Sequence, residues 1–229
     1  MDIKTTACIP TMPSRLSVIE QSALSIASQV DQLFIYCNNN VQLPNSLLET
    51  KNIFPVSNGD YGSVGRFFIS MMEGYLFFCD DDLLYPEHYC DYLITKIEEY
   101  ERKAVIGYHG RIIKVPLKSY YGQDSEVVYP CRLDLNSDHE VNFIGTGCMS
   151  YHSSTLKVLM DSFKHNNMDD AEFSIKCAEN NVPMFVVAHQ GLEYLNPIGT
   201  TIYDETMKDQ RPLLDLINSF KDWKTFTNI

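Results

Sequence analysis

Residues 76–86, Leu-Phe-Phe-Cys-Asp-Asp-Asp-Leu-Leu-Tyr-Pro, join an apolar run directly to three consecutive carboxylates and a turn. Few folds accommodate that join. The apolar part, Tyr75 to Cys79, reads as a strand buried on both faces, which is the habit of parallel sheets covered by helices. Three adjacent carboxylates repel one another, and they are tolerated where a hard divalent cation or several backbone N–H groups neutralise them. The carboxyl end of such a strand, opening into a crevice, is where open α/β sheets receive ligands. Taken alone, Asp80, Asp81 and Asp82 fit a solvated turn that caps the helix after Pro86 equally well.

The preceding segments supply the sheet. Residues 4–9 form a short strand candidate that ends at Pro10-Thr11-Met12-Pro13-Ser14-Arg15, a turn in which Ser14 can cap the next helix. Leu16, Ile19, Ala23 and Ile26 recur at helical spacing and give that helix one buried face. Residues 32–37 are the next strand, followed by Asn38-Asn39-Asn40, whose amides favour turns and can meet a ligand. Residues 53–56 are a third strand. After them comes Gly59-Asp60-Tyr61-Gly62-Ser63-Val64-Gly65-Arg66-Phe67, a glycine-rich approach to a helix that buries Val64, Phe67, Phe68, Met71 and Met72. A helix N-terminus of this kind suits an anion, although the glycines alone read as a plain loop-to-helix turn with Arg66 on the surface. Pro86 opens a helix that aligns Tyr89, Leu93, Ile97 and Tyr100. The order β-α-β-β-α-β-α predicts a mostly parallel sheet with helices on both faces.

The second half is less regular. Residues 104–108, 111–115 and 126–129 are strand-like, with a polar and aromatic segment, 116–125, expected as a mobile loop. In Ile144-Gly145-Thr146-Gly147-Cys148 the two glycines suit a bend where a small substrate touches main chain. Leu156, Leu159, Met160 and Phe163 mark a short helix. Asp169, Asp170 and Glu172 open another, facing Ala171, Ile175 and Ala178 inward, and acids in a first turn suit the helix dipole without any further role. Residues 184–188 form a last buried strand that delivers His189, a position where a structural histidine is the ordinary reading. Pro212 opens a helix with Leu213, Ile217 and Phe220, and Trp223 anchors the tail.

At 229 residues, 45% hydrophobic and 21% charged, the chain fits one α/β domain with a sizeable core. Its net charge of −12 excludes broad binding to nucleic acid or anionic membrane, which needs a basic surface. No apolar run reaches the roughly 18 residues of a membrane span, and the polar start is no signal peptide, so the expectation is a cytoplasmic protein. Seven cysteines without metal-like spacing read as buried free thiols.

Together, residues 9–15, 59–67, 79–86 and 144–147 resemble the nucleotide-sugar glycosyltransferases of the GT-A fold, and most of all family-2-like enzymes of capsular and lipopolysaccharide synthesis, with relatives in large algal viruses. The likeness runs from about residue 3 to about residue 195, and the acidic motif with its Tyr-Pro sequel is its specific part. It implies a single GT-A domain, with residues 1–103 binding the nucleotide sugar and 104–229 the acceptor. It implies Mn²⁺ or Mg²⁺, a UDP-sugar donor, a glycan or glycoprotein acceptor and inversion at the anomeric carbon.

The resemblance also implies roles for single residues. Pro10, Thr11, Arg15 and Asn38 would hold base and ribose, while Asp60 and Arg66 would contact base and diphosphate. Asp80, Asp81 and Asp82 match a DxD-type motif, with Asp80 toward ribose or sugar and Asp82 on the metal. Asp170 or Asp169 would be the general base, and His189 a late metal ligand. The family often has lysine where Arg66 stands, and Asp169-Asp170-Ala171-Glu172 replaces a clean Glu-Asp pair. Two other readings remain at this level: a sugar-phosphate nucleotidyltransferase, for which residues 10–15 lack the usual glycines, and a non-catalytic carbohydrate-binding module with a calcium site.

Overall fold

A computed structural model describes residues 4–121, 127–196 and 201–226. Strand β1 (Thr5–Thr11) is followed by helix α1 (Ile19–Ala27), β2 (Gln32–Cys37), the single turn α2 (Asn45–Leu48), β3 (Ile53–Val56), β4 (Tyr75–Cys79) and the short β5 (Leu83–Leu84). Helix α3 (Tyr89–Glu99) then leads to β6 (Val105–Gly107), β7 (Gly110–Ile112), β8 (Val127–Tyr129), β9 (His139–Val141), β10 (Phe143–Ile144) and β11 (Cys148–His152). Helix α4 (Asp169–Glu179), β12 (Met184–Val186), β13 (Glu193–Tyr194), α5 (Ile202–Lys208) and α6 (Arg211–Ser219) complete the chain.

Eight strands form the central sheet in the order β3-β2-β1-β4-β11-β6-β12-β9. β3, β2, β1 and β4 are parallel neighbours, β11 runs antiparallel between β4 and β6, and β12 is parallel to β6. The strand order places β2 and β3 on one side of β1 and β4 on the other. The chain therefore reverses direction across the sheet between β1 and β4, which opens a crevice beyond their carboxyl ends.

Both faces of the sheet are apolar, as the sequence of β4 requires. Phe77 and Cys79 join the layer that holds Ile19, Ala23 and Ile26 of α1 and Leu93 and Ile97 of α3. Leu76 and Phe78, pointing the other way, pack with Phe67, Tyr151 and Phe173. The strand thus alternates between two cores while staying fully buried, the pattern of a central strand with two covered faces.

Several local expectations change. Helix α1 begins at Ile19, so Ser14 caps nothing and sits in a 3-10 turn, Pro13–Arg15, while Leu16 is exposed. The segment after the second glycine is a 3-10 helix, Gly62–Ile69; its three-residue period buries Val64 and Phe67 but leaves Met71 in solvent. Residues 156–163 hold only one 3-10 turn, Met160–Ser162, with Leu159 exposed. In α4 the buried residues are Asp169, Ala171, Glu172, Phe173, Ser174 and Cys177, with Ile175 and Ala178 half-buried. Part of the loop expected at 116–125 lies outside the described residues, but Leu117 and Tyr120 are buried in a third cluster with Phe143, Ile217 and Trp223. Trp223 does anchor the tail, donating from Nε1 to the Ile217 carbonyl at 3.0 Å.

Candidate active site

β4 delivers its three carboxylates to the crevice in unequal environments. Asp81 turns inward, where Thr11 Oγ1 at the end of β1 donates to Asp81 Oδ2 at 2.8 Å. Arg15, from the turn after β1, places Nη1 3.1 Å from Asp82 Oδ2 and Nε 3.9 Å from Asp81 Oδ1. Asp80 is the most open of the three, with its side chain 39% exposed, and pairs with Arg66 Nη2 at 2.7 Å. The motif's tyrosine fixes the turn from behind: Tyr85 Oη accepts from the Asp80 N–H at 2.7 Å and donates to the Gly147 carbonyl at 2.8 Å.

Arg66 is buried, contrary to the surface position that the glycines alone suggest. Its Nε donates to the Ser63 carbonyl at 3.0 Å and stands 3.2 Å from Asp169 Oδ2, so one guanidinium ties the β4 acids to the start of α4. Asp169 is enclosed. It also accepts from the Ser63 hydroxyl and, at 2.6 Å, from Thr146 Oγ1. Asp170 is the freer neighbour: its Oδ1 accepts from the Thr146 N–H at 2.7 Å and lies 2.7 Å from Thr146 Oγ1, whose single proton it shares with Asp169, and its side chain lines the cleft.

The Gly-Thr-Gly turn brings these parts together. A Cβ on residue 147 would lie 1.8 Å from Asp80 Oδ2, and one on residue 145 would lie 2.6 Å from His109 Cδ2. The glycines therefore make room for protein side chains, and the turn they flank lines the cleft. Thr146, between them, holds Asp169 and Asp170.

The resulting cleft has a volume of about 480 Å³ and is lined by Pro10, Thr11, Arg15, Asn38, Arg66, Asp80, Asp81, Asp82, Asp169 and Asp170 among the expected residues. Asn38 spends its amide on the protein, donating to the Gly62 carbonyl and accepting from the Tyr61 N–H, both at 2.9 Å. Two expected residues are not brought to the cleft. Asp60 is exposed outside its lining, where its carboxylate accepts from the Gly62 N–H at 3.2 Å. His189 stacks on Tyr108 with ring centroids 4.2 Å apart and bonds the Val187 carbonyl through Nδ1 at 2.7 Å. Burial pushes its imidazole down, as befits a neutral core histidine, and its expected role as a metal ligand lacks support in this geometry.

Sequence reasoning missed Thr146, Ser63, His109 and the face of α5. The last was signalled by Thr201-x-x-Asp204, which forms a capping box with the Thr201 hydroxyl accepting from the Asp204 N–H at 3.1 Å.

Charge in the cleft is unbalanced. Six carboxylates, Asp80, Asp81, Asp82, Asp169, Asp170 and Glu205, line it with three guanidinium groups, Arg15, Arg66 and Arg132. Burial, reinforced for Asp82 by Asp80 and Asp81, pushes the Asp81 carboxyl up to about 6 and that of Asp82 up to about 7. Burial, with Asp169 alongside, pushes Asp170 up to about 6. An anionic ligand would enter such a site only with added positive charge.

An all-oxygen donor set suits Mg²⁺ or Mn²⁺. Among the described residues no three His, Cys, Asp or Glu side chains close around an ion by themselves. That also fits, because these ions are commonly held by one or two carboxylates together with substrate phosphates.

The solved structures agree with this architecture. One similar structure is glucosyl-3-phosphoglycerate synthase from Mycobacterium tuberculosis, in complex with Mn²⁺, UDP-glucose and phosphoglyceric acid; it matches with a TM-score of 0.61 and 14% identity, over 95% of this chain and 79% of that one. The chain has the GT-A fold. A mannosyltransferase from Pyrobaculum calidifontis, in complex with GDP-Man and Mn²⁺, matches with a TM-score of 0.53 and 11% identity, over 94% of this chain and 69% of that one. No protein-family model and no curated protein sequence matches the chain. None of the helices among the described residues is long and apolar enough to cross a membrane.

Proposed function

We propose that this protein is a metal-dependent hexosyltransferase that moves a sugar from a nucleoside diphosphate donor, UDP-linked, onto a hydroxyl of a growing glycan with inversion, as in polysaccharide synthesis of the capsular or lipopolysaccharide kind. One observation carries the reading: an acidic triplet at the carboxyl end of β4 opens into the crevice between β1 and β4, where it pairs with Arg15 and with Arg66, the latter shared with Asp169. The neighbouring structures, which hold UDP-glucose or GDP-Man with Mn²⁺, support it.

In this reading Pro10, Thr11 and Arg15 form the nucleotide end of the cleft. Asp80 and Asp82 hold the divalent ion, whose charge would offset the negative charge that grows on the departing diphosphate. Arg66 orients Asp80 and faces the diphosphate. The acceptor hydroxyl must approach the anomeric carbon from the side opposite the leaving group, with a carboxylate within hydrogen-bond reach. Asp170 has that role: Thr146 occupies only its Oδ1, whereas Asp169 is locked by Arg66, Ser63 and Thr146.

Calorimetric titration of UDP and of GDP, with and without Mn²⁺, tests the proposal. Binding that requires Mn²⁺ and disappears in Asp82→Ala is expected. Metal-independent binding, or none with any nucleotide, removes the reading.

A further inference from the structure

His109 ends the segment after β6 and projects into the same cleft, yet nothing above uses it. Its ring packs against Gly145, where even a Cβ would come within 2.6 Å, so the imidazole is held in place by the absence of a side chain opposite. It lines the cleft beside Gly145, Thr146 and Gly147. Burial and the nearby Arg111 push the group down to about 4, so at neutral pH it is uncharged and carries one N–H donor and one bare nitrogen acceptor.

Three consecutive residues fix what this imidazole faces. Gly147 lies under Asp80, Thr146 holds Asp170, and Gly145 lies under His109. If the leaving group departs near Asp80 and the acceptor is activated at Asp170, the sugar between them lies over this turn and against His109. A neutral donor–acceptor pair matches a sugar hydroxyl, which also gives one hydrogen bond and receives others.

We propose that His109 is a specificity residue for the transferred sugar, its imidazole hydrogen-bonding a ring hydroxyl of the hexose and making no contact with the nucleotide. The inference rests on the function proposed above.

Its test compares, in the presence of Mn²⁺, the binding of UDP with UDP-glucose and of GDP with GDP-mannose to the wild type, His109→Ala and His109→Asn. The expected result is nucleoside diphosphate affinity within about twofold of wild type in both variants. Nucleotide-sugar affinity should fall about tenfold in His109→Ala, the loss of one good hydrogen bond, with partial recovery in His109→Asn, whose amide also donates and accepts. Nucleotide binding by the same samples reports an intact site. Equal weakening of both ligands, or no weakening of either, overturns the role of His109. A wild type that binds none of these ligands overturns the transferase reading itself.

Discussion

The carboxylate of Asp80 occupies the space that a side chain on residue 147 would need: a Cβ there would stand 1.8 Å from Asp80 Oδ2. Replacing Gly147 with alanine should therefore displace Asp80 from Arg66, and because Asp80 is half-exposed it can swing away without unfolding the chain. Gly147→Ala is expected to lower Mn²⁺-dependent nucleotide affinity by about tenfold or more. Its thermal midpoint should stay within a few degrees of wild type. Calorimetry and a melting curve check both halves, and unchanged affinity would mean that the placement of Asp80 is unimportant.

Adjacent acids at the start of α4 are expected to separate by experiment. Asp169 is buried against Arg66 and accepts from the Ser63 and Thr146 hydroxyls; Arg66 keeps Asp80 when Asp169 is removed, but those buried donors lose their acceptor, so Asp169→Ala should cost about 3 kcal/mol in denaturant unfolding. Asp170→Asn keeps the size of the side chain and should leave donor binding intact. It should slow transfer by about 10²–10⁴, the usual worth of a general base. Normal transfer by Asp170→Asn would move the base elsewhere.

The pH profile follows from the same residue. Burial raises the Asp170 carboxyl to about 6, and only the ionised form can take a proton from the acceptor. Below about pH 6 the group is increasingly protonated, so the single-turnover rate should rise with pH and level off above it. Thr146→Val removes a hydroxyl that stabilises the Asp170 anion and should shift this limb toward higher pH. A rate that falls as pH rises from 5 to 7 would contradict the assignment.

The core of this arrangement is legible in the sequence because one strand carries it. Tyr75 to Cys79 is apolar at every position, so it had to be central, and whatever followed it had to lie at the mouth of the sheet. Pro10 and Thr11 at the end of β1 and Arg15 after it are readable for the same reason, since a parallel neighbour ends at the same edge. Less legible is which of two equivalent letters does what. Asp169 and Asp170 differ through Arg66, Ser63 and Thr146, which lie 23 to 106 residues from Asp169 in the chain. His189 and His109 both follow buried strands, β12 and β6, and only the folded sheet shows that His109 is the one that lines the cleft. The glycines of 145–147 announced a close approach, but the sequence does not say to what.

Arg66 offers the sharpest test of how the two acidic groups are joined. Its guanidinium meets Asp80 through Nη2, and Asp169 and the Ser63 carbonyl through Nε, with Nη1 3.4 Å from the Cys79 carbonyl as well. Lysine preserves the charge, yet its single ammonium cannot span Asp80 and Asp169 with the same rigid fork. Arg66→Lys should therefore retain the fold but release one of the two acids, and the geometry favours release of Asp80, because it is exposed while Asp169 also bonds Ser63 and Thr146. Mn²⁺-dependent nucleotide affinity should drop by about tenfold, whereas stability should fall by only about 1–2 kcal/mol, less than the loss in Asp169→Ala. If Arg66→Lys instead unfolds as readily as Asp169→Ala while binding nucleotide normally when folded, the guanidinium serves the α4 acid alone and the link to β4 has no part in holding the ligand.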